Sequence, residues 1–261
     1  MKKLLSFLTM LCAAGLACGQ SVDIGIKGGI SIPNLSASGS ETNPLNEGYS
    51  SRVGPGFSLF ADVKFSKLFS IQPAIEYSAQ GGKKEGFQAF PFPEELIPLM
   101  QQMGQTPPTY LYADFNSTAK INYLMIPVLA KFGWDLGVES PFRIYAGAGP
   151  FVGFLLNAKQ IREGNSALYL DPDGQAPVPN PEDPGSPFTQ SFDGETSIKD
   201  QLNKVNFGVE GSIGLSYRLN RSTLFVEGGG NYGFLNIQKG TANGKNNTGA
   251  ATVMVGYAYS L

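Results

Sequence analysis

INYLMIPVLAKFGWDLGVESPFRIYAGAGPFVGFLL, residues Ile121 to Leu156, is almost entirely apolar, with one soft break at Asp135–Pro141. As helix it would be a buried hairpin or a pair of membrane spans. As strand it would be two crossings of a sheet. Pro127 and Pro150 would each remove a helical hydrogen bond and clash with the preceding turn, and glycines recur from Gly133 to Gly153. Two strands fit better, about 119–133 and 142–157, joined by a turn at Trp134–Pro141. The first is apolar on both faces. It is read with Leu124, Ile126, Val128, Ala130 and Phe132 outward and Tyr123, Met125, Pro127 and Leu129 inward. The second sets Ile144, Ala146, Val152, Phe154 and Leu156 outward, and Arg143, Tyr145, Gly147, Gly149 and Gly153 inward.

The period-2 pattern of half-buried strands returns along the chain. Val22, Ile24, Ile26, Ile30 and Ile32 alternate with Asp23, Lys27 and Ser31. Phe57, Leu59, Ala61, Val63 and Phe65 alternate with Ser58, Asp62 and Lys64, and Phe60 alone breaks the pattern. Phe69, Ile71, Ile75 and Tyr77 stand opposite Ser70, Gln72, Glu76 and Ser78. Val205, Phe207, Val209, Ile213, Leu215 and Tyr217 stand opposite Asn206, Glu210, Ser212, Ser216 and Arg218. Leu224, Val226, Tyr232 and Phe234 oppose Thr223, Glu227 and Asn231, and the last strand runs Val253, Val255, Tyr257, Tyr259, Leu261.

Together these predict eight strands near the 9–11 residues that a tilted transmembrane strand needs. Short turns at 66–67, 134–141 and 219–221 alternate with long loops at about 33–53, 81–117, 158–203 and 238–247. That order describes an all-β, eight-stranded, antiparallel, up-and-down barrel in a bacterial (Gram-negative) outer membrane, with short periplasmic turns, long extracellular loops and periplasmic termini. Closure has a physical cause: in hydrocarbon every backbone N–H and C=O must be paired, so the sheet has no free edge. A soluble lipocalin-like barrel also alternates, but its apolar side faces in.

The first residues, MKKLLSFLTMLCAAGLACGQ, carry the basic start, short apolar core and small-residue site of a secretory signal peptide. The expected division is 1–19 as leader and 20–261 as one barrel domain. A lipoprotein reading would make Cys18 the lipidated residue, but Gly15 stands where such signals usually carry Leu. Both cysteines, Cys12 and Cys18, leave with the leader, so no disulfide framework remains. Cleavage leaves 17 basic residues against 21 acidic, a net charge of −4, which does not favour a nucleic-acid partner. The chain has no histidine. That removes Ser–His and Cys–His nucleophile pairs and His-based metal sites. No spacing marks an acid–base carboxylate pair, so the protein is expected not to be an enzyme and to need no cofactor.

Asn122-Tyr123-Leu124-Met125-Ile126-Pro127-Val128-Leu129-Ala130-Lys131-Phe132 resembles the "YLEIPLLLK" strand of the PorT-like outer-membrane β-barrel family, abundant in Bacteroidetes. Tyr145-Ala146-Gly147-Ala148-Gly149-Pro150-Phe151-Val152-Gly153 resembles the "AGPYVGYLL" strand that follows it there. Asn206-Phe207-Gly208 and Glu227 to Gly233 resemble later strands more loosely. The resemblance covers the mature chain and implies the barrel fold and an outer-membrane place. Met125 stands where the family usually has Glu, so one inward carboxylate is missing.

On the strand phases above, Asp23, Asp62, Glu76, Glu210 and Glu227 point inward, as do Lys27, Lys64, Lys131, Arg143 and Arg218. Five acids against five bases predict a structural ion-pair network that plugs the barrel. An ion path is the alternative, although an open selective pore would favour one sign. In the loop at 81–117, Leu96, Leu99, Met100 and Met103 fall on one helical face, with Gly104 a stop. It is either a short helix folded over the rim or an apolar patch that docks a partner. The proline-rich loop at 158–203 has seven acids and no base between Arg162 and Lys199, and reads as solvated and partly disordered. Its Asp171-Pro172-Asp173-Gly174 only faintly echoes a calcium loop, so no metal is assigned.

Three function classes stay open. The first is a structural or interaction protein, lipid-embedded and meeting another envelope protein through its extracellular loops, with a secretion or transport complex as one setting. The others are a small passive channel and a surface adhesin or defence barrel of the OmpX kind.

Overall fold

The computed structural model describes residues 21–38, 43–94, 97–102, 106–183, 185–240 and 245–261. The expected leader, 1–19, lies outside them. In chain order come β1 (Ser21–Ser38), β2 (Gly54–Lys64), β3 (Phe69–Lys84), β4 (Phe87–Pro91), helix α1 (Ile97–Gln102) and β5 (Tyr110–Asp114). Then follow β6 (Asn116–Asp135), β7 (Phe142–Glu163), β8 (Asn165–Ala167), β9 (Thr189–Ser191), β10 (Gly194–Ser197), β11 (Val205–Leu219), β12 (Ser222–Gly233) and β13 (Lys245–Ser260).

Eight of these strands form an antiparallel ring in the order β7-β11-β12-β13-β1-β2-β3-β6, and β6 pairs back to β7. The first and last strands are joined from Asp23↔Ser260 to Ser38↔Lys245, so the ring has no open edge. The β11–β12 turn shows how the chain reverses. Leu219 pairs with Ser222 across two residues, and Asn220 takes the left-handed conformation (φ 54) that Asn tolerates better than most side chains.

The distribution of side chains is inverted relative to a soluble barrel. Ile26, Phe57, Leu59, Ile213, Leu224 and Val255 stand exposed outside, while Asp23, Lys27, Glu76, Glu210 and Glu227 are buried within. Aromatic contacts ring the exterior at two levels. Near the tight turns Phe69 lies 5.2 Å from Phe132 and Phe142 lies 4.9 Å from Tyr217. Nearer the long loops Tyr232 lies 5.9 Å from Phe234 and Phe207 lies 6.4 Å from Phe234. Apolar exteriors flanked by two aromatic girdles suit hydrocarbon between two headgroup layers. A polar pair, Asn122 and Asn157 at 2.8 Å, sits at the β6 register shift and closes the apolar band on the loop side.

Several strands run well past the predicted limits. β6 has 20 residues and β7 has 22, about twice what a crossing needs. The surplus stands beyond the girdle as a collar. β10 continues the β7 ladder at Lys159–Arg162, past the point where β11 pairs with Phe154. Residues assigned to loops from their polarity are therefore partly strand, because pairing with a neighbour satisfies the backbone whether the side chains are greasy or wet.

Candidate functional site

At the barrel centre one lysine faces three carboxylates. Lys27 Nζ lies 2.8 Å from Glu227 Oε1, 3.8 Å from Glu76 Oε2 and 3.9 Å from Glu210 Oε1, and all four side chains are buried. Lys27 projects from β1, and its partners from β3, β11 and β12, none of which pairs with β1. The contact therefore crosses the lumen. Tyr145 donates its hydroxyl to the other oxygen of Glu227 at 3.0 Å. Glu76 Oε2 and Glu210 Oε2 accept no hydrogen bond within the described residues. Met125, where the resemblance led to expect Glu, pairs in register with Glu76, so an apolar thioether stands beside the carboxylate.

The remaining predicted lumen charges gather at the tight-turn end. Lys64 pairs with Asp23, and Lys131 lies 3.5 Å from Asp62 with its ammonium 4.2 Å from the Tyr145 ring centroid. Arg143 and Arg218 lie 2.9 and 3.8 Å from Asp135. The charges predicted to form an ion-pair network thus divide into a central layer and a turn-end layer. Three of the five acids share one base at the centre, while Asp23 and Asp62 pair with Lys64 and Lys131 at the turn end. Arg218 stands at the rim of the turn-end opening, where its side chain is 54% exposed. Asp135 went unnoticed in the sequence because it sits at the strand end, where alternation assigns no face.

Apolar side chains seal the lumen on both sides of the central layer. Toward the tight turns Phe60, Ala74 and Ala258 are buried, with Phe225 packed against them. Toward the loops Tyr123, Met125, Phe151 and Leu155 join Leu35, Ile121 and Ile237 in a larger cluster. A cavity of about 730 Å³ opens at the turn end and another of about 520 Å³ at the loop end. They share no lining residue, and Lys27, Glu76, Glu210 and Glu227 line neither. Between these two cavities lie the charged layer and the apolar clusters that flank it.

The loops form a folded cap. β4 pairs with β5, β8 with β9, and Tyr112 exchanges two backbone hydrogen bonds with Tyr169, tying the two longest loops together. Beneath this join Phe90, Phe115 and Phe192 pack, with Phe115 and Phe192 stacked at 4.3 Å. This corrects the reading of 158–203 as partly disordered: the described residues are held by bridges and by aromatic burial. Asp171 there accepts the backbone N–H of Gln175 and Ala176. These bonds hold its carboxyl below the usual range and close the turn around it. Among the described residues no group of three or more acids, histidines or cysteines is arranged to hold a metal. Of the proposed partner-binding face, Leu96 and Met103 lie outside the described residues, and Leu99 and Met100 lie within α1.

Residues 18–239 match the family model described as "Outer membrane protein beta-barrel domain". The chain belongs to that family. No curated protein matches this member of the outer membrane protein beta-barrel family. Among solved structures it is similar to Ail, the attachment invasion locus protein of Yersinia pestis, at 11% identity over 92% of this chain and 98% of that one, with TM-score 0.36. It is similar to Neisserial surface protein A at 13% identity, over 90% and 96% of the chains, with TM-score 0.36. OprG from Pseudomonas aeruginosa gives 13% identity, 93% and 97% coverage and TM-score 0.39.

Outer-membrane residence makes the exterior band testable. Ile213, 68% exposed near the middle of β11, should face hydrocarbon. Ile213→Arg is expected to weaken folding into lipid vesicles by about 2–4 kcal/mol, the cost of a cation near the midplane. Urea titration in vesicles measures it, and an unchanged midpoint would mean that this face does not meet lipid.

Proposed function

We propose that this barrel is an interaction protein of the cell envelope, a membrane-embedded stem that holds out a folded cap for another envelope component. In this reading the tight turns and both termini are periplasmic, the cap is extracellular, a signal peptide directs export, and the chain is a PorT-like member of its family. A secretion or transport complex is one setting for such a role. The observation that carries the reading is the join between the two longest loops at Tyr112 and Tyr169 over a shared aromatic core. Ordering loops costs about 1–2 kcal/mol per residue in backbone entropy, so a folded cap suits a surface that is read by a partner. The separate cavities at the two ends argue against the passive-channel reading. With no histidine in the chain, catalysis is not part of the proposal.

The test is site-specific photo-crosslinking in the native outer membrane. A crosslinker at Leu170 or Phe188, exposed on the cap, is expected to capture one stoichiometric envelope protein, and one at Val138, exposed in a tight turn, is not. Equal capture from both ends would remove the cap as the docking surface. Capture of a molecule on another cell, lost when protease shaves the loops, would move the assignment to adhesin. The same protein in planar bilayers is expected to show no discrete conductance.

A further inference from the structure

We propose that the chamber beneath the cap is a binding site for a small organic acid, an anion carrying an apolar or aromatic body and a hydroxyl. The chamber is the cavity of about 520 Å³ at the loop end, inside the range of about 300–1,000 Å³ usual for small-molecule sites. Its lining is electrostatically one-sided. Lys84, Arg162 and Lys239 contribute three positive charges, and among the described residues no Asp or Glu lines it, in a chain that carries more acids than bases.

These cations are held by neutral groups. Lys84 Nζ donates to the carbonyls of Pro44 and Leu45 and lies 5.4 Å from the Tyr49 ring centroid. Arg162 donates to Gln160 Oε1 at 3.2 Å, and Lys239 to the Asp200 carbonyl at 2.8 Å. Within the described residues none of the three has a carboxylate within 4 Å, whereas Lys27, Lys64 and Lys131 lower in the barrel each have one. Glu47 acts on Lys84 from beyond ion-pair distance and from outside the lining; the positive charge left uncompensated in the cavity attracts an anion, and low-dielectric walls strengthen the attraction.

Two further observations define the rest of the ligand. Leu35, Phe90 and Ile237 bring side chains of both loop-end apolar clusters to the wall, which favours a hydrophobic body over inorganic phosphate or a bare sugar. Asn246, 1% exposed, donates to Asn46 at 2.9 Å and leaves its own Oδ1 without a donor. A buried acceptor without a donor is costly, and a ligand hydroxyl satisfies it. The inference concerns the interior of the cap and does not depend on what docks outside it.

The experiment uses the full barrel in lipid nanodiscs, titrated calorimetrically with 4-hydroxyphenylacetate, with its neutral amide and with inorganic phosphate. The acid is expected to bind saturably, and the amide at least about tenfold more weakly, the size of one charge-assisted contact. Lys84→Gln and Arg162→Gln are each expected to weaken the acid by a similar factor. Lys239→Gln, whose side chain leans on an exposed segment, serves as the variant least able to disturb the cap, and heat-modifiable gel mobility checks that each barrel is folded. Equal binding of acid and amide, undiminished binding to a folded Lys84→Gln/Arg162→Gln double variant, phosphate binding as tightly as the acid, or no saturable binding at millimolar concentration would each overturn the proposal.

Discussion

Lys27→Met is expected to destabilise the barrel by about 3–5 kcal/mol, the usual cost of removing one partner from a buried ionic cluster. The number follows from how few donors the central layer has. Glu76, Glu210 and Glu227 share a single ammonium, and beyond it Glu227 receives only Tyr145. Without Lys27 the three carboxylates would face one another across the lumen, with like charges repelling in a medium that screens poorly. The decisive comparison is the quadruple variant Lys27→Met/Glu76→Gln/Glu210→Gln/Glu227→Gln. It removes charge from both sides and is expected to recover most of the loss, because replacing a whole buried cluster is far milder than breaking one. Urea unfolding in vesicles, followed by the single tryptophan, Trp134, reads both. A Lys27→Met barrel as stable as the parent, or a quadruple variant less stable than the single, would show that the cluster is not held by charge pairing.

Alternation in the sequence carries the ring because lipid enforces it. A strand with apolar faces outward and paired backbone has few other arrangements in a bilayer, so Val205 to Tyr217 or Val253 to Leu261 can be phased without knowing their neighbours. The lumen is less legible, for a geometric reason. Which charges meet across it depends on stagger between strands that never pair, and period-2 reading gives each residue a face but no height. That is why Lys27 could be placed inside, while its meeting with three glutamates, and not with Asp23 or Asp62, could not be foreseen. Tyr145 reads as inward, but its hydrogen bond reaches over Gly214 of β11 to Glu227 on β12, a partner that alternation within one strand does not name. The loops misled for a different reason. Proline and acidic content at 158–203 implied weak order, yet Asp171 capping its own turn and the Tyr112–Tyr169 bridge supply that order without a hydrophobic run. The cations of the chamber were missed because they lie in what was read as loop or at strand ends.

Phe60, the residue that breaks the β2 alternation, carries the other large effect: Phe60→Ala is expected to cost about 3–5 kcal/mol, as buried Phe truncations do. Its ring is buried in the lumen, edge-on to Phe225 at 5.7 Å, and Phe225 in turn lies 6.4 Å from Tyr145. Each ring lies over a glycine directly opposite on the neighbouring strand: Phe60 over Gly25, Phe225 over Gly256, Tyr145 over Gly214. A Cβ at Gly25 would come within 2.3 Å of the Phe60 ring, and at Gly214 within 2.3 Å of Tyr145. The glycines are thus the other half of the aromatic layer, leaving the room in which three rings fold flat against the wall and meet. Coupling between the halves tests this. Gly25→Ala alone should be strongly destabilising, and in a Phe60→Leu background its cost should fall by about 0.5–3 kcal/mol, the range for residues in direct contact. Relief will be incomplete, since the added carbon also stands 2.6 Å from the Tyr257 carbonyl oxygen. Strict additivity would mean that ring and glycine do not share that space. The same layer separates the turn-end cavity from the charged centre, so Phe60→Ala should also admit water toward Lys27, and faster exchange of amide hydrogens on β1 around Gly25–Lys27 is its expected signature.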